Sequence, residues 1–84
     1  MYTGKVFVTL KKAVLDPQGD TVKKSLHTMG YKEVKDVRVG KYIEVKIDGD
    51  TRQEVQDRLD EMCRKLLANP VIEEFRIEIA EDGQ

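Results

Sequence analysis

The sequence predicts an α+β protein in which a strand, a helix, a long bent strand, a second helix and a last strand follow one another. Three observations support this prediction. Apolar residues, many of them β-branched, alternate with polar ones in three separate stretches, which is typical of half-buried strands. Apolar residues recur at helical spacing in two further stretches. Each helical stretch begins with a capping signal and ends at a residue type that stops helices.

The length and composition set limits on the protein. Its 84 residues predict one domain over residues 1–84. A chain of this size buries only about 60–65% of its unfolded surface, and a partner chain is one way to add stability. The single cysteine excludes an internal disulfide, and the single histidine argues against a zinc site. We therefore expect a homo-oligomer.

The charge balance excludes other classes. The chain has 15 basic and 16 acidic residues, without the basic excess of a nucleic-acid-binding protein. No apolar run approaches the roughly 20 residues of a membrane span, and the N-terminal stretch does not have the pattern of a signal peptide. We expect a cytoplasmic protein that binds neither nucleic acid nor membrane.

The first strand is expected over Lys5–Leu10, with Phe7 on the face opposite the main apolar one, and the first helix over about Pro17–Met29. Asp16 can cap this helix, because its carboxylate can accept hydrogen bonds from the first-turn N–H groups. Pro17 suits the first helical position, since its φ is already set. Gly19 weakens a helix by roughly 1 kcal/mol. It indicates either a group that must approach closely or a first turn that simply tolerates glycine.

The first helix has one narrow apolar stripe, formed by Val22, Leu26 and Met29 at positions i, i+4 and i+7. Because the stripe is narrow, the helix should depend on packing against a sheet. Gly30 follows where a left-handed residue would close the helix. His27 lies beside the stripe and has no orienting partner, so we assign it no catalytic role.

Residues 34–47 are predicted to form one long strand, bent or bulged at Gly40. A two-residue hairpin turn at Gly40-Lys41 would set apolar residues opposite polar ones, so it is disfavoured. A straight strand of this length would span roughly 45 Å, which exceeds the diameter of about 30 Å expected for the whole globule. The strand must bend sharply or join a neighbour's sheet, and either outcome favours a dimer.

The second helix is predicted over about Arg52–Ala68, after a capping box formed by Thr51 and Glu54. Cys63 is interpreted as a small buried hydrophobe rather than a reactive thiol. A last strand follows over residues 71–79, and residues 80–84 are expected to fray. The apolar inner face of the second helix is formed by Val55, Leu59, Met62, Cys63, Leu66 and Leu67.

If the long strand is divided at its bend, the chain forms two β-α-β lobes that share this strand. This arrangement gives the fold a ferredoxin-like character. The sequence shows no paired catalytic carboxylates, no nucleophile triad, no P-loop and no set of metal ligands. We therefore assign no catalytic, cofactor-binding or metal-binding residue, and the chain alone is not expected to catalyse a reaction. The bend combines basic and aromatic residues that are enriched in binding hot spots, although an ordinary sheet surface is the alternative.

Short motifs in a fixed order over nearly the whole chain suggest a family. These motifs are Val14-Leu15-Asp16-Pro17-Gln18-Gly19, Leu26, Met29-Gly30-Tyr31, Val34, Val37-Arg38-Val39-Gly40-Lys41, Met62-Cys63, Lys65-Leu66-Leu67-Ala68-Asn69 and Val71-Ile72-Glu73. In this order they resemble the PurS family, the small subunit of bacterial phosphoribosylformylglycinamidine (FGAM) synthase.

The resemblance implies a function in the fourth step of de novo purine synthesis. It implies a glutaminase subunit that releases ammonia, and a large synthetase subunit that uses ATP and Mg to add the nitrogen to formylglycinamide ribonucleotide. PurS itself would be a homodimer without cofactor or catalytic residues that bridges the two subunits and assists ammonia transfer. Association of dimers into tetramers stays open. The alternative is a ferredoxin-like regulatory module that binds a small metabolite at a dimer interface.

Residues that match the family motifs but are not needed in the core are the candidates for partner contacts. We predict two contact surfaces, the start of the first helix and the bend of the long strand. Their residues are Asp16, Pro17, Gly19, Arg38, Gly40, Lys41 and Tyr42.

Overall fold

The computed structural model describes residues 1–81. Their regular elements are β1 (Tyr2–Leu10), α1 (Pro17–Thr28), β2 (Gly40–Ile47), α2 (Arg52–Met62) and β3 (Glu73–Glu81). A five-residue π-helical turn, Cys63–Leu67, continues α2. The predicted α+β class and the order of the elements along the chain are confirmed.

The three strands form one antiparallel sheet in the order β2-β1-β3. Val6 in the centre of β1 lies opposite Ile43 of β2 and Ile77 of β3. Because β2 and β3 are both antiparallel to β1, they are parallel to each other, and α2 connects them across β1. The unit β2-α2-β3 is the second of the two predicted lobes.

The core lies between α2 and one face of the sheet. The exposed fractions of Val6, Val8, Val55, Leu59 and Cys63 are all 1% or less. Cys63 is a free, buried cysteine as predicted, and burial raises the pKa of its thiol. A raised pKa leaves less of the reactive thiolate at neutral pH.

Helix α1 starts and ends as predicted but does not pack on the sheet of its own chain. Asp16 caps it, and Gly30 closes it with a left-handed φ of 103°. Its only buried residue is Gly19, while Val22 and Met29 of the apolar stripe are 41% and 68% exposed. The molecule is correspondingly elongated, with a radius of gyration of 16.3 Å against about 12 Å for a compact chain of this length.

The predicted long strand is shorter than expected, because β2 begins at Gly40 and residues 34–39 adopt no strand structure. Both sides of β1 are already paired, with β2 and with β3. Residues 34–39, the first half of the predicted strand, therefore cannot pair with β1. Gly40 allows a close approach, since a Cβ there would lie 2.2 Å from the Val8 carbonyl oxygen. The disfavoured hairpin is not formed, because β2 pairs with β1 instead.

Two further details differ from the sequence prediction. Leu66 was expected on the inner face of α2 but is 82% exposed. In the π-helical turn the Ala68 N–H bonds to the Cys63 carbonyl, five residues back, and this wider turn rotates the side chains away from α-helical positions. Strand β3 continues to Glu81, so the expected fraying does not include residues 80 and 81. Residues 82–84 lie outside the described residues.

Candidate subunit interface

The Asp16 carboxylate joins the start of α1 to the start of β2. Its Oδ1 accepts a hydrogen bond from the Gly19 N–H, and its Oδ2 accepts one from the Val39 N–H, both at 2.9 Å. Arg38 Nε lies 3.9 Å from the same Oδ2. These contacts hold the pKa of the Asp16 carboxyl below its usual value of 3.8. The hydrogen bond from Gly19 has the largest effect, and the bond from Val39 has the next largest.

Arg38 holds the segment before β2 against the end of β1. Its Nη2 donates hydrogen bonds to the Leu10 carbonyl and, at 3.0 Å, to the Lys11 carbonyl. The side chain of Arg38 is only 27% exposed. Arg38 and Asp16 therefore fix the junction of α1, β1 and β2 within one chain.

Gly19 lies at a position in this junction that has no room for a side chain. A Cβ there would lie 2.2 Å from the Val37 carbonyl oxygen and 2.7 Å from Asp16 Oδ2. Of the two explanations that the sequence left open, close approach is therefore the one that the structure supports. The approaching group belongs to the same chain.

Replacing Gly19 by alanine is expected to lower the free energy of unfolding by about 1–3 kcal/mol, because the added methyl group must displace the Val37 backbone or the Asp16 side chain. Urea unfolding monitored by circular dichroism measures the loss. Gln18→Ala, at the neighbouring exposed position, is the control and should change stability by less than about 0.5 kcal/mol. Equal losses in the two variants would contradict this account of Gly19.

The Asp16 contacts predict a pH dependence of stability. Because the folded state lowers the pKa of this carboxyl, the stabilisation is present above the unfolded pKa and is lost as the pH falls through the lower folded value. Asp16→Asn should therefore reduce the fall in melting temperature between about pH 5 and pH 2. Asp57→Asn, which removes an exposed carboxylate on α2, is the matched control. If both variants keep the wild-type slope, Asp16 does not contribute to it.

The structure groups the residues of the two predicted contact surfaces differently from the sequence prediction. Asp16, Pro17, Gly40 and Lys41 line a groove between the end of β1 and the start of α1. Tyr42 lies on the opposite sheet face from α2, since it pairs with Phe7 in the register of the strands. Gly19 and Arg38 are occupied by contacts within their own chain.

Tyr42 is 49% exposed, and its hydroxyl donates a 2.7 Å hydrogen bond to the Glu44 carboxylate. This bond raises the pKa of Tyr42. The ring of Tyr42 also contacts that of Phe7, with 5.1 Å between the centroids. Tyr42 is therefore part of a structured, solvent-facing surface.

His27, the single histidine of the chain, makes a structural contact. His27 Nε2 donates a 2.7 Å hydrogen bond to the Val34 carbonyl, which ties the end of α1 to the segment that follows it. Within residues 1–81, no cluster of three or more His, Cys, Asp or Glu residues could hold a metal ion. No helix among the same residues is long and apolar enough to cross a bilayer.

The fold and these surfaces define a class of protein: a small α+β chain whose exposed helix and groove are suited to contacts with other chains. A family model described as "PurS: Phosphoribosylformylglycinamidine (FGAM) synthase" matches residues 3–81. The chain belongs to the PurS family, the family of the FGAM synthase subunit that serves purine biosynthesis. The resemblance seen in the sequence motifs is thereby confirmed.

The similarity extends over whole chains. The PurS subunit of Bacillus subtilis is 53% identical over 96% of this chain and 95% of that protein. The crystal structure of PurS from Methanocaldococcus jannaschii has a TM-score of 0.88 at 38% identity, over 99% of this chain and all of that one. A chain in the structure of PurLQS from Thermotoga maritima has a TM-score of 0.84 at 26% identity, over 95% of this chain and 99% of that one.

Proposed function

We propose that the chain acts as a non-catalytic homodimer that bridges the glutaminase and large synthetase subunits of FGAM synthase and assists ammonia transfer between them. The complex converts formylglycinamide ribonucleotide and glutamine to formylglycinamidine ribonucleotide in the cytoplasm. The large subunit uses ATP and Mg, and this chain binds no cofactor. The observation that carries the proposal is the family match over residues 3–81. The similarity to a chain of the PurLQS structure supports it.

The dimer is supported by apolar surface that one chain leaves uncovered. Val22 and Met29 on the stripe of α1 are exposed, and so is Tyr31 just beyond the helix. An amphipathic helix gains most of its stability from packing its apolar face. The sheet of a second copy would provide the packing surface that α1 lacks in its own chain.

The sheet edges support the same arrangement. Strand β2 hydrogen-bonds to β1 on one side only, and residues 34–39 have no strand partner in their own chain. A free edge can accept a strand from another molecule. In the dimer, residues 34–39 of one protomer lie beside β2 of its partner, and α1 of the same protomer packs over that partner's sheet and completes a ferredoxin-like lobe.

Reconstitution from purified subunits tests the bridging function. FGAM formation is measured with the glutaminase and synthetase subunits, with or without this chain, and with either glutamine or ammonium as the nitrogen source. The chain should raise glutamine-dependent turnover and leave ammonium-dependent turnover nearly unchanged, because only the first needs a bridge. Equal glutamine-dependent turnover with and without the chain would refute the proposal.

Lys41 is a suitable residue for testing the groove as a contact surface, because it is exposed and does not hold the junction together as Arg38 does. Lys41→Ala should raise the concentration of chain needed for half-maximal glutamine-dependent turnover roughly fivefold, which corresponds to a loss of about 1 kcal/mol at one interface residue. Lys65→Ala, on the exposed side of the π-helical turn, is the matched control. An unchanged concentration for Lys41→Ala would exclude the groove around this residue from the interface.

A further inference from the structure

The outer edge of β3 presents backbone groups that point away from the sheet. Strand β3 hydrogen-bonds to β1 on one side only, and the proposed dimer covers the edge of β2 rather than this one. The Lys11 N–H bonds to the Ile72 carbonyl, directly before β3 and in the same register. Backbone groups alternate in direction along a strand, so the even-numbered residues of β3 bond to β1. The N–H and C=O groups of its odd-numbered residues therefore point outward.

Both ends of this outer edge are closed by contacts within the chain. At the start of β3, the Glu73 N–H donates a 2.7 Å hydrogen bond to the Asn69 carbonyl. Near its other end, Arg52 Nη2 donates a 2.6 Å hydrogen bond to the Ile79 carbonyl. An exposed strand edge is open to pairing with another chain, and a charged side chain placed on it is one way to prevent this. These two contacts, here called the caps, limit where a strand can be added.

The backbone between the caps is open. The N–H and C=O groups of Phe75 and Ile77 have no hydrogen-bond partner within the described residues 1–81. An edge that is only protected would be closed along its whole length, whereas this one is closed at its ends and open at its centre. The open segment is long enough to bind a strand of about five residues.

The side chains along the open segment define the chemistry of a matching strand. Their order is acidic, apolar, basic, apolar and acidic, from Glu74 through Arg76 to Glu78. Residues directly opposite each other on neighbouring strands lie on the same sheet face and interact, and opposite charges are favourable there. The complementary strand therefore has the order basic, apolar, acidic, apolar and basic.

We propose that the glutaminase subunit adds a short strand of this chemistry to the β3 edge, paired with the open backbone of Phe75 and Ile77. Strand addition of this kind combines main-chain hydrogen bonds with side-chain selectivity. The assignment rests on the proposed function, in which glutamine-dependent turnover needs the bridge and ammonium-dependent turnover does not. The subunit that depends on the bridge to deliver its product is the glutaminase.

A second copy of β3 fits this edge less well. The register that joins the open backbone of two β3 strands sets Arg76 opposite Arg76 and sets the two flanking glutamates opposite each other. Like charges directly opposite each other are destabilising. A shift of two residues in either direction would need backbone groups of Glu73 or Ile79, which the caps already occupy. The edge therefore favours a different chain.

Amide hydrogen exchange of the full chain, measured by NMR with a synthetic peptide, tests the strand addition. The probe is a capped peptide with the core Lys-Val-Glu-Val-Lys, and the control peptide has the core Glu-Val-Lys-Val-Glu. The Phe75 and Ile77 amides should exchange fast in the free chain. At half saturation with the probe their rates should fall about twofold, because only the free fraction exchanges. The Arg76 amide, which bonds to β1, should be protected throughout.

Binding to the purified glutaminase and synthetase subunits, measured separately by isothermal titration calorimetry, tests the assignment. Glu74→Lys/Glu78→Lys should raise the Kd for the glutaminase subunit roughly tenfold, because it places like charges opposite the added strand. Its Kd for the synthetase subunit should stay unchanged. The control Asp57→Lys/Glu61→Lys makes the same charge change at exposed positions of α2 and should bind both subunits as wild type does.

Several results would overturn the proposal. They are Phe75 and Ile77 amides that the probe does not protect, equal protection by the two peptides, or wild-type affinity of Glu74→Lys/Glu78→Lys for the glutaminase subunit. Weakened binding to the synthetase subunit instead would overturn the assignment to the glutaminase. The exchange measurement needs neither partner subunit, so its failure is distinguishable from failure of the bridging function in the reconstitution.

Discussion

Replacing Leu59 by alanine should lower the free energy of unfolding by about 2–5 kcal/mol, the largest stability change predicted for this chain. Leu59 is fully buried in the cluster that joins α2 to the sheet. Its methyl groups also fill the space above Gly4, where a Cβ would lie 2.5 Å from Leu59 Cδ1. Truncation would leave a cavity there that backbone atoms cannot close. Urea unfolding at one fixed protein concentration measures the change.

Leu66→Ala provides the matched control for Leu59→Ala. The sequence pattern places both leucines on the inner face of the helix, whereas the structure leaves Leu66 82% exposed. The same truncation at Leu66 should cost less than about 1 kcal/mol. Equal costs at the two positions would mean that Leu66 is covered in the protein in solution.

Introducing aspartate at both Val22 and Met29 should convert the proposed dimer to a monomer. Each substitution places a charge in the apolar stripe of α1, where burial against a second chain would remove its hydration. Light scattering after gel filtration should report the mass of one chain in place of two. Circular dichroism should still show the sheet and α2, because neither of them packs against α1.

The control for Val22→Asp/Met29→Asp is Lys23→Asp/Lys24→Asp. This control changes the net charge more than Val22→Asp/Met29→Asp does, but its positions lie away from the stripe. It should remain a dimer. A monomeric wild-type chain, or a dimeric Val22→Asp/Met29→Asp variant, would show that the stripe is not the dimer contact.

Local signals in the sequence were sufficient to predict where the helices begin. Asp16 caps α1 directly before Pro17. The Thr51 hydroxyl accepts a 3.1 Å hydrogen bond from the Glu54 N–H, as the capping box requires. The Glu54 carboxylate in turn accepts a hydrogen bond from the Asp50 N–H. Such signals depend on residues three or four positions apart, so they can be recognised without knowledge of the fold.

Contacts between distant parts of the chain could not be predicted in the same way. The glycine at position 19 indicated a close approach, but its partner, the Val37 carbonyl, lies 18 residues further on. From the sequence, Arg38 was predicted to lie on a contact surface. Its hydrogen bonds to the Leu10 and Lys11 carbonyls instead depend on where β1 ends. Alternation in residues 34–39 indicated a strand, but this segment leads directly into β2 at Gly40 and cannot fold back beside the strand that it continues.

The sheet face opposite α2 illustrates the same limit. Alternation along β1 placed Phe7 opposite the main apolar face, but the sequence did not show which residues would lie beside it. The strand register brings Tyr42 and Arg76 to its two sides. Register depends on the packing of the whole sheet, so this aromatic and basic row is visible only in the folded chain.

The π-helical turn at Cys63–Leu67 has a consequence for how the length of this chain can vary. The turn spans five residues between the Cys63 carbonyl and the Ala68 N–H, one more than an α-helical turn uses. Loss of one residue here would let α2 run on as regular helix, with Cys63 and the sheet left in place. A single-codon deletion would therefore be tolerated at this point of α2 more readily than elsewhere in the helix.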